Sequence, residues 1–335
     1  MPKQKPSASE IWPIILAMRN GEDIKAIAKA AGRNKTTLER WLEKFSHFST
    51  EEELASELNS NEPVYIRIMR ELFHQKWKEG TDDFTWERKD LTRIAQELKV
   101  DAPKNLGDNV YSIRHGRMDL PQEIQNLAPN EKEWILLPHG KSTYKFCLAD
   151  RSFLDIDPSK ESIKIPDSTP QIVAHYAKKD EQAVLARIRY CRLVDIFMGL
   201  ASYQIQSHMR TTIAHFGGAQ TELDEIYVGV DRNGTQFVIP IQAKSLHERI
   251  GAVQLIADHY TCIEKFPKMV SRILAAKTVS IEQEPGFGEI FTIAMIEAVV
   301  DGYNVKKRRE EHFKLVPSNR ISDTELNDYR IRYSP

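Results

Sequence analysis

At 335 residues the chain is long enough for two or three domains with cores of their own. Hydrophobic residues make up 41% and charged residues 28%, as in an ordinary globular protein, and 47 Lys and Arg against 48 Asp and Glu leave a net charge of −1. That balance argues against a protein that coats nucleic acid unspecifically, while leaving room for one that binds it at a defined site. The three cysteines, Cys147, Cys191 and Cys262, lie too far apart for a metal-ligand pair and read as buried thiols in a reducing compartment. No run approaches the ~20 apolar residues of a membrane span, and the N-terminus lacks the apolar region of a signal peptide, so a cytoplasmic protein is expected.

Residues 10–48 read as helical. Within them, residues 24–42 resemble a helix-turn-helix: Ala28 is small enough for two helices to touch, Gly32 makes the turn, and Leu38 and Trp41 face inward on the second helix. Lys35, Thr36, Thr37, Glu39 and Arg40 then face outward, and Lys35, Thr36, Thr37 and Arg40 are candidates for DNA contact. A polar linker is expected from Ser49 to Pro63. The next module runs to about residue 150. It has a helix from Tyr65 to Lys78, an extended piece at Phe84–Trp86, a helix from Lys89 to Leu98, and a third helix starting near Asn105. Two β-rich runs at Glu133–Leu137 and Ser142–Phe146 close it around a Pro-His-Gly-Lys turn. Three helices followed by a hairpin resemble a winged helix, which makes Asn105, Asn109, Tyr111, Arg114, His115 and Arg117 candidate DNA contacts, with Lys141 on the wing.

Residues 151–180, rich in Pro, Asp and Lys, read as a linker. One long helix is expected from Glu181 to about Gln206. The strands follow: residues 222–244 hold two β-rich runs joined by Asp231-Arg232-Asn233-Gly234, whose Asn-Gly pair is a strong hairpin signal. Glu222 and Asp224 share one face of the first run by the period-two rule, and Glu225 takes the other. On the second run Gln242 and Lys244 alternate with Ile241 and Ala243. A helix from Arg249 to Tyr260 carries Gln254, and runs near Lys268, Lys277 and Ile290 continue the sheet. The basic run Lys306–Arg309 is expected to be exposed.

A carboxylate, an amide oxygen and a lysine on neighbouring strands resemble the PD-(D/E)xK nuclease superfamily, in the variant where glutamine replaces the second acid. On that resemblance Asp224 matches the first acid, Gln242 the second ligand position and Lys244 the lysine. The resemblance covers roughly residues 183–295. Glutamine is the departure from the pattern: a neutral amide binds a hard cation more weakly than a carboxylate. Glu222 could supply the missing charge, and Gln254 could hold the site or a phosphate.

The resemblance implies an α/β nuclease core, with a mixed central sheet flanked by helices, preceded by mainly α helix-turn-helix and winged-helix modules. The expected domains are 1–60, 61–150 and 181–335, with 151–180 between the last two. It implies a prokaryotic, sequence-specific endonuclease similar to type II restriction enzymes. Such an enzyme would use Mg²⁺, with Mn²⁺ able to substitute, held by Asp224, Gln242 and the backbone carbonyl of Ala243. Its partners would be double-stranded DNA and a second copy of the chain, since cutting two strands needs two sites. Two other readings stand beside it. One is a restriction enzyme that requires methylated cytosine, with Trp86, Tyr111 or Trp134 against the methyl group. The other is a DNA-binding regulator with a degenerate nuclease fold.

Overall fold

The structure is a computed structural model that describes residues 8–59, 63–101, 105–116, 118–129, 131–177 and 180–331. The chain forms two compact units, Met1–Gln75 with Lys89–Lys104, and Lys76–Arg88 with Asn105–Pro335.

The first unit is helical: α1 (Ala8–Arg19), α2 (Ile24–Ala30), α3 (Lys35–Phe45), α4 (Glu51–Asn59), α5 (Val64–Lys76) and α6 (Arg88–Glu97). Short polar residues set the helix starts by taking up amide groups that have no partner within the helix. Asp23 accepts from the Ala26 N–H at 3.2 Å, and Asn34 accepts from the Thr37 N–H at 2.8 Å. Between α2 and α3, Gly32 adopts φ +61°, a conformation that costs glycine little. Ile11, Ile15, Ile27, Ala28, Leu38, Trp41 and Phe45 then close one core. The span expected as a polar linker carries α4, started by a reciprocal Thr50–Glu53 cap. Leu54 of α4 is fully buried in the same core.

The second unit begins with β1 (Asp83–Glu87), α7 (Leu106–Arg114), α8 (Gln122–Gln125), β2 (Glu133–Pro138) and β3 (Thr143–Ala149). The three strands form a small sheet in the order β1-β3-β2. The segment expected as a linker supplies β4 (Phe153–Leu154), β5 (Ser162–Pro166) and α9 (Gln171–Tyr176). Here β5 pairs in parallel with β13 (Asn304–Val316), so this stretch is part of the main sheet.

The remaining elements are α10 (Glu181–Tyr190), α11 (Leu193–Met198), β6 (Ala201–Ile213), β7 (Ala219–Val230), β8 (Gln236–Lys244), β9 (Ile250–Gly251), α12 (Ala252–Lys265), β10 (Val270–Ser271), β11 (Ile273–Glu284), β12 (Gly288–Asp301) and α13 (Asp323–Ile331). The long helix expected over 181–206 is thus two short helices and the start of a strand. Arg192 at φ 54° and Gly199 at φ 67° lie in left-handed backbone and end the helical path twice. From Ala201 the chain pairs with β7.

The main sheet is mixed, in the order β5-β13-β12-β11-β8-β7-β6, with the short β10 also on β8. Its central strands β8 and β12 are buried on both faces over most of their length, as near-continuous apolar runs require, while the edge strand β6 is largely exposed. On one face Val184, Ile188, Val194 and Phe197 of α10 and α11 pack on Ile239, Ile241, Leu274 and Ile293. On the other, Leu255 and Ile256 of α12 pack on Ile273, Ala275 and Ile296. Ile135, Leu137, Cys147 and Ala149 of β2 and β3 join this second layer. The boundary expected at residue 150 therefore runs through a shared core. The β7–β8 hairpin lies where the Asn-Gly pair predicts. Its loop is longer than two residues, with Asp231 accepting from the Asn233 and Thr235 N–H groups and Gly234 at φ +81°.

Candidate active site

The site is built at a fork between two strands. The antiparallel β7–β8 ladder runs from Val230 opposite Gln236 to Glu225 opposite Ile241, and there it ends. Beyond that point β7 stays with β6, while β8 continues in parallel with β11 as far as Lys277 opposite Lys244. Asp224 stands in the fork. Its carboxylate accepts from the Ala243 N–H at 3.0 Å, satisfying an amide that has no partner across the parted ladder.

Strict alternation along β7 fails at this point. Leu223 and Ile226, three apart, both pack with Val238 and Cys262. Glu225, fully buried, pairs instead with Arg189 of α10 and accepts from the Tyr227 hydroxyl at 2.8 Å. Glu222 lies on the other side of Asp224 and holds Arg210 at 3.0 Å and His208 at 3.3 Å.

Lys244 is 4% exposed and its Nζ donates to Glu181 Oε1 at 2.6 Å. Glu181 is the first residue of α10, a start fixed by Asp180, which accepts from the Gln182 and Ala183 N–H groups. The neighbouring Gln182 reaches His208 at 3.1 Å. Gln242, 1% exposed, faces α12. Its Nε2 donates to Asp258 Oδ1 at 3.2 Å, and its Oε1 accepts from Gln254 Nε2 at 2.9 Å. Gln254 and Asp258 are one helical turn apart and so share a face of α12. Gln242 was expected to offer its amide oxygen to a metal, but here that oxygen is engaged by Gln254. The second carboxyl group beside it is that of Asp258.

Burial dominates the electrostatics. Asp224 is pushed up from its ordinary 3.8 to about 6, chiefly by desolvation. Lys244 opposes that shift, Glu181 adds to it, and the Ala243 N–H and His208 oppose it. Asp258 is pushed well above the carboxylate range by burial and by Asp224, against the Gln242 hydrogen bond and Lys244. Two acceptors in this cluster, Asp258 Oδ2 and Gln254 Oε1, are shielded from solvent and have no hydrogen-bond donor. Orphaned oxygens beside close carboxylates are the donor chemistry of a hard divalent cation. Among the described residues no three His, Cys, Asp or Glu are grouped to hold a metal. A cation here would therefore draw on carboxylate, amide and carbonyl oxygens together.

The fork gathers Asp224, Gln242, Lys244 and Gln254, with Glu222 at its rim. Sequence reasoning missed Glu181, Asp258 and His208. Asp258 carries a readable signal, since it follows Gln254 by four residues within a helix. Glu181 could have been read from its place directly after a helix-capping Asp180. His208, at φ 49° in the middle of a strand, left no sequence signal.

The expected DNA contacts fall elsewhere. Lys35, Thr36 and Arg40 are exposed on α3, and Lys35 pairs with Glu39 at 3.3 Å. Thr37 is half-buried and both its N–H and its hydroxyl bond to Asn34, so it serves the helix cap. Asn105 is exposed just before α7, and Asn109 on that helix keeps a shielded Nδ2 without an acceptor. Tyr111, 41% exposed, stacks on His115 at 3.7 Å. Arg114 is partly buried, Lys141 is exposed at the β2–β3 turn, and Arg117 lies outside the described residues. Trp86 and Trp134, 2% and 1% exposed, are core aromatics packed against Tyr144 and Phe84, which removes them as methyl-group sensors. Compared with family models, with curated proteins and with solved structures, the chain matches none.

Proposed function

We propose that this chain is a DNA endonuclease of the PD-(D/E)xK kind that cuts double-stranded DNA at selected sites. The observation that carries the reading is the strand fork, where a buried lysine, an aspartate of raised pKa and a second buried aspartate meet on different elements. Perturbed titratable groups held close together are what a site for acid–base and electrostatic work requires.

Asp224, the Ala243 carbonyl and, from α12, Asp258 are the groups that would hold Mg²⁺. The ion would supply positive charge to a phosphate and acidity to a water. Lys244 reaches the fork from the end of an apolar strand, where it orients the attacking water and offsets charge gathering on the phosphate oxygens. Glu181 holds Lys244 in place through a half-buried ion pair. Gln242 and Gln254 lock the Asp258 side of the cluster through consecutive amide hydrogen bonds.

Site selection is assigned to the first half of the chain. The exposed face of α3 carries Lys35, Thr36 and Arg40. A homodimer would place two forks on the two strands of a two-fold symmetric target. Incubating supercoiled plasmid with wild-type protein and with Lys244→Ala, each with Mg²⁺ or with EDTA, tests the reading. Cleavage only by the wild type with Mg²⁺ is expected. No cleavage of methylated or unmethylated DNA from several genomes would leave a DNA-binding regulator as the function.

A further inference from the structure

A cavity of about 320 Å³ adjoins the fork, walled by Tyr111 and Arg114 of α7 and by His115 at its C-terminal cap, by Arg210 and Glu222, and by Gln254. Arg114 also lines a second cavity of about 470 Å³. Arg187, which donates to the Ala183 carbonyl and lies over the Phe291 ring, has no carboxylate ion pair among the described residues, but Asp167 and Glu289 are near enough to favour its charge. Other enclosed cations of this unit are paired directly. Arg189 has Glu225, Arg272 has Glu297 and Lys244 has Glu181. Arg114 pairs with no carboxylate among the described residues. Its Nε is shielded from solvent with no acceptor, burial works against its charge, and the groups that favour it are the nearby phenols of Tyr144 and Tyr111. A guanidinium stays charged at any physiological pH, so an enclosed one without a counter-charge calls for an anion. Beside it Tyr111, a residue that is 41% exposed, stacks its ring on His115 and lines the cavity. A cation for phosphate and a π-face for a base, side by side, are the two halves of nucleotide recognition.

We propose that this cavity receives one nucleotide of the substrate strand next to the scissile phosphate, its phosphate on Arg114 and its base on the Tyr111–His115 stack. The proposal rests on the nuclease reading only for the identity of the strand. Within it, α7 acts as a positioning element beside the fork.

The test uses full-length protein, EDTA to prevent cutting, and a fluorescent 5′-phosphorylated DNA oligonucleotide, as single strand and as duplex, titrated over a salt series. Arg114→Gln should weaken binding about tenfold and reduce the log–log salt slope by about 0.9 for duplex or about 0.7 for single strand, one phosphate's share. Arg114→Lys should keep the slope. Tyr111→Ala should weaken binding about tenfold with the slope unchanged, as loss of one base stack requires. Thermal melting without DNA should show Arg114→Gln at or above wild type, because a partly buried charge without a carboxylate partner has gone. Should that variant not fold, the exposed Tyr111→Ala carries the test. Wild-type affinity and slope in both Arg114→Gln and Tyr111→Ala overturn the proposal even if the protein cuts DNA. Displacement of the oligonucleotide by micromolar dAMP, with the Arg114→Gln slope unchanged, would make this a site for a free nucleotide and also overturn it. Loss of oligonucleotide binding in Arg114→Gln, together with a wild type that binds DNA and never cuts it, keeps the cavity's ligand and removes only the nuclease reading.

Discussion

Replacing Asp224 with Asn separates the cost of this site from its use. A carboxyl group raised from 3.8 to about 6 on folding favours the folded state only while protonated. That stability is fully present below pH 3.8 and is lost as pH rises through about 6, the direction for an acid whose folded value lies above its unfolded one. The difference corresponds to about 3 kcal/mol at pH 8 and about 1.6 kcal/mol at pH 5. Asn keeps an oxygen for the Ala243 N–H and removes the charge. In EDTA, Asp224→Asn should therefore be up to about 3 kcal/mol more stable than wild type at pH 8, with an advantage about 1.4 kcal/mol smaller at pH 5. Millimolar Mg²⁺ should raise the stability of the wild type at pH 8 and leave the variant unmoved, since ligand binding stabilises only a protein that binds it. Cleavage should vanish while DNA binding persists. The assay is urea denaturation followed by tryptophan fluorescence from pH 5 to 8, with and without Mg²⁺. A variant less stable than wild type at pH 8, or profiles that run parallel, would refute the burial argument.

Glu181→Gln removes the counter-charge of a lysine that is 4% exposed; cleavage should slow at least about tenfold with DNA affinity unchanged, and an unaltered rate would take Glu181 out of the site. Asp258→Asn keeps the acceptor for Gln242, so stability should stay within about 1 kcal/mol while Mg²⁺-dependent cleavage falls; a fully active variant would return the second ligand position to Gln242. A fragment starting at residue 150 loses Ile135, Leu137, Cys147 and Ala149 from the α12 layer, and with Leu or Ile side chains worth about 2–5 kcal/mol each in a core, it should be insoluble or lack cooperative unfolding. A soluble, cooperatively folded fragment would show that β2 and β3 are dispensable to that layer.

The local elements were legible in the sequence because local chemistry sets them. Asp23, Asn34 and Gly32 fix the α2–turn–α3 geometry within a few residues of themselves, and Asp231 with Gly234 fixes the β7–β8 reversal. Asp224, Gln242 and Lys244 were legible for the same reason, since hairpin pairing dictates which residues of two adjacent strands come near each other. The helix assigned to 181–206 failed because an apolar spacing compatible with one helix face hid two left-handed residues. Arg192, one of them, is not a residue type that announces a break. What the tertiary structure alone decided is the company these residues keep. Glu181 meets Lys244 across 63 positions and Asp258 meets Gln242 across 16, and both encounters depend on how α10 and α12 cover opposite faces of a sheet whose strand order is set by long-range pairing. Burial follows from the same layering. It raises Asp224, turns Gln242 toward α12 and leaves Arg114 partly buried with no carboxylate partner among the described residues, because desolvation belongs to the packed layers and has no counterpart in the order of residues along the chain.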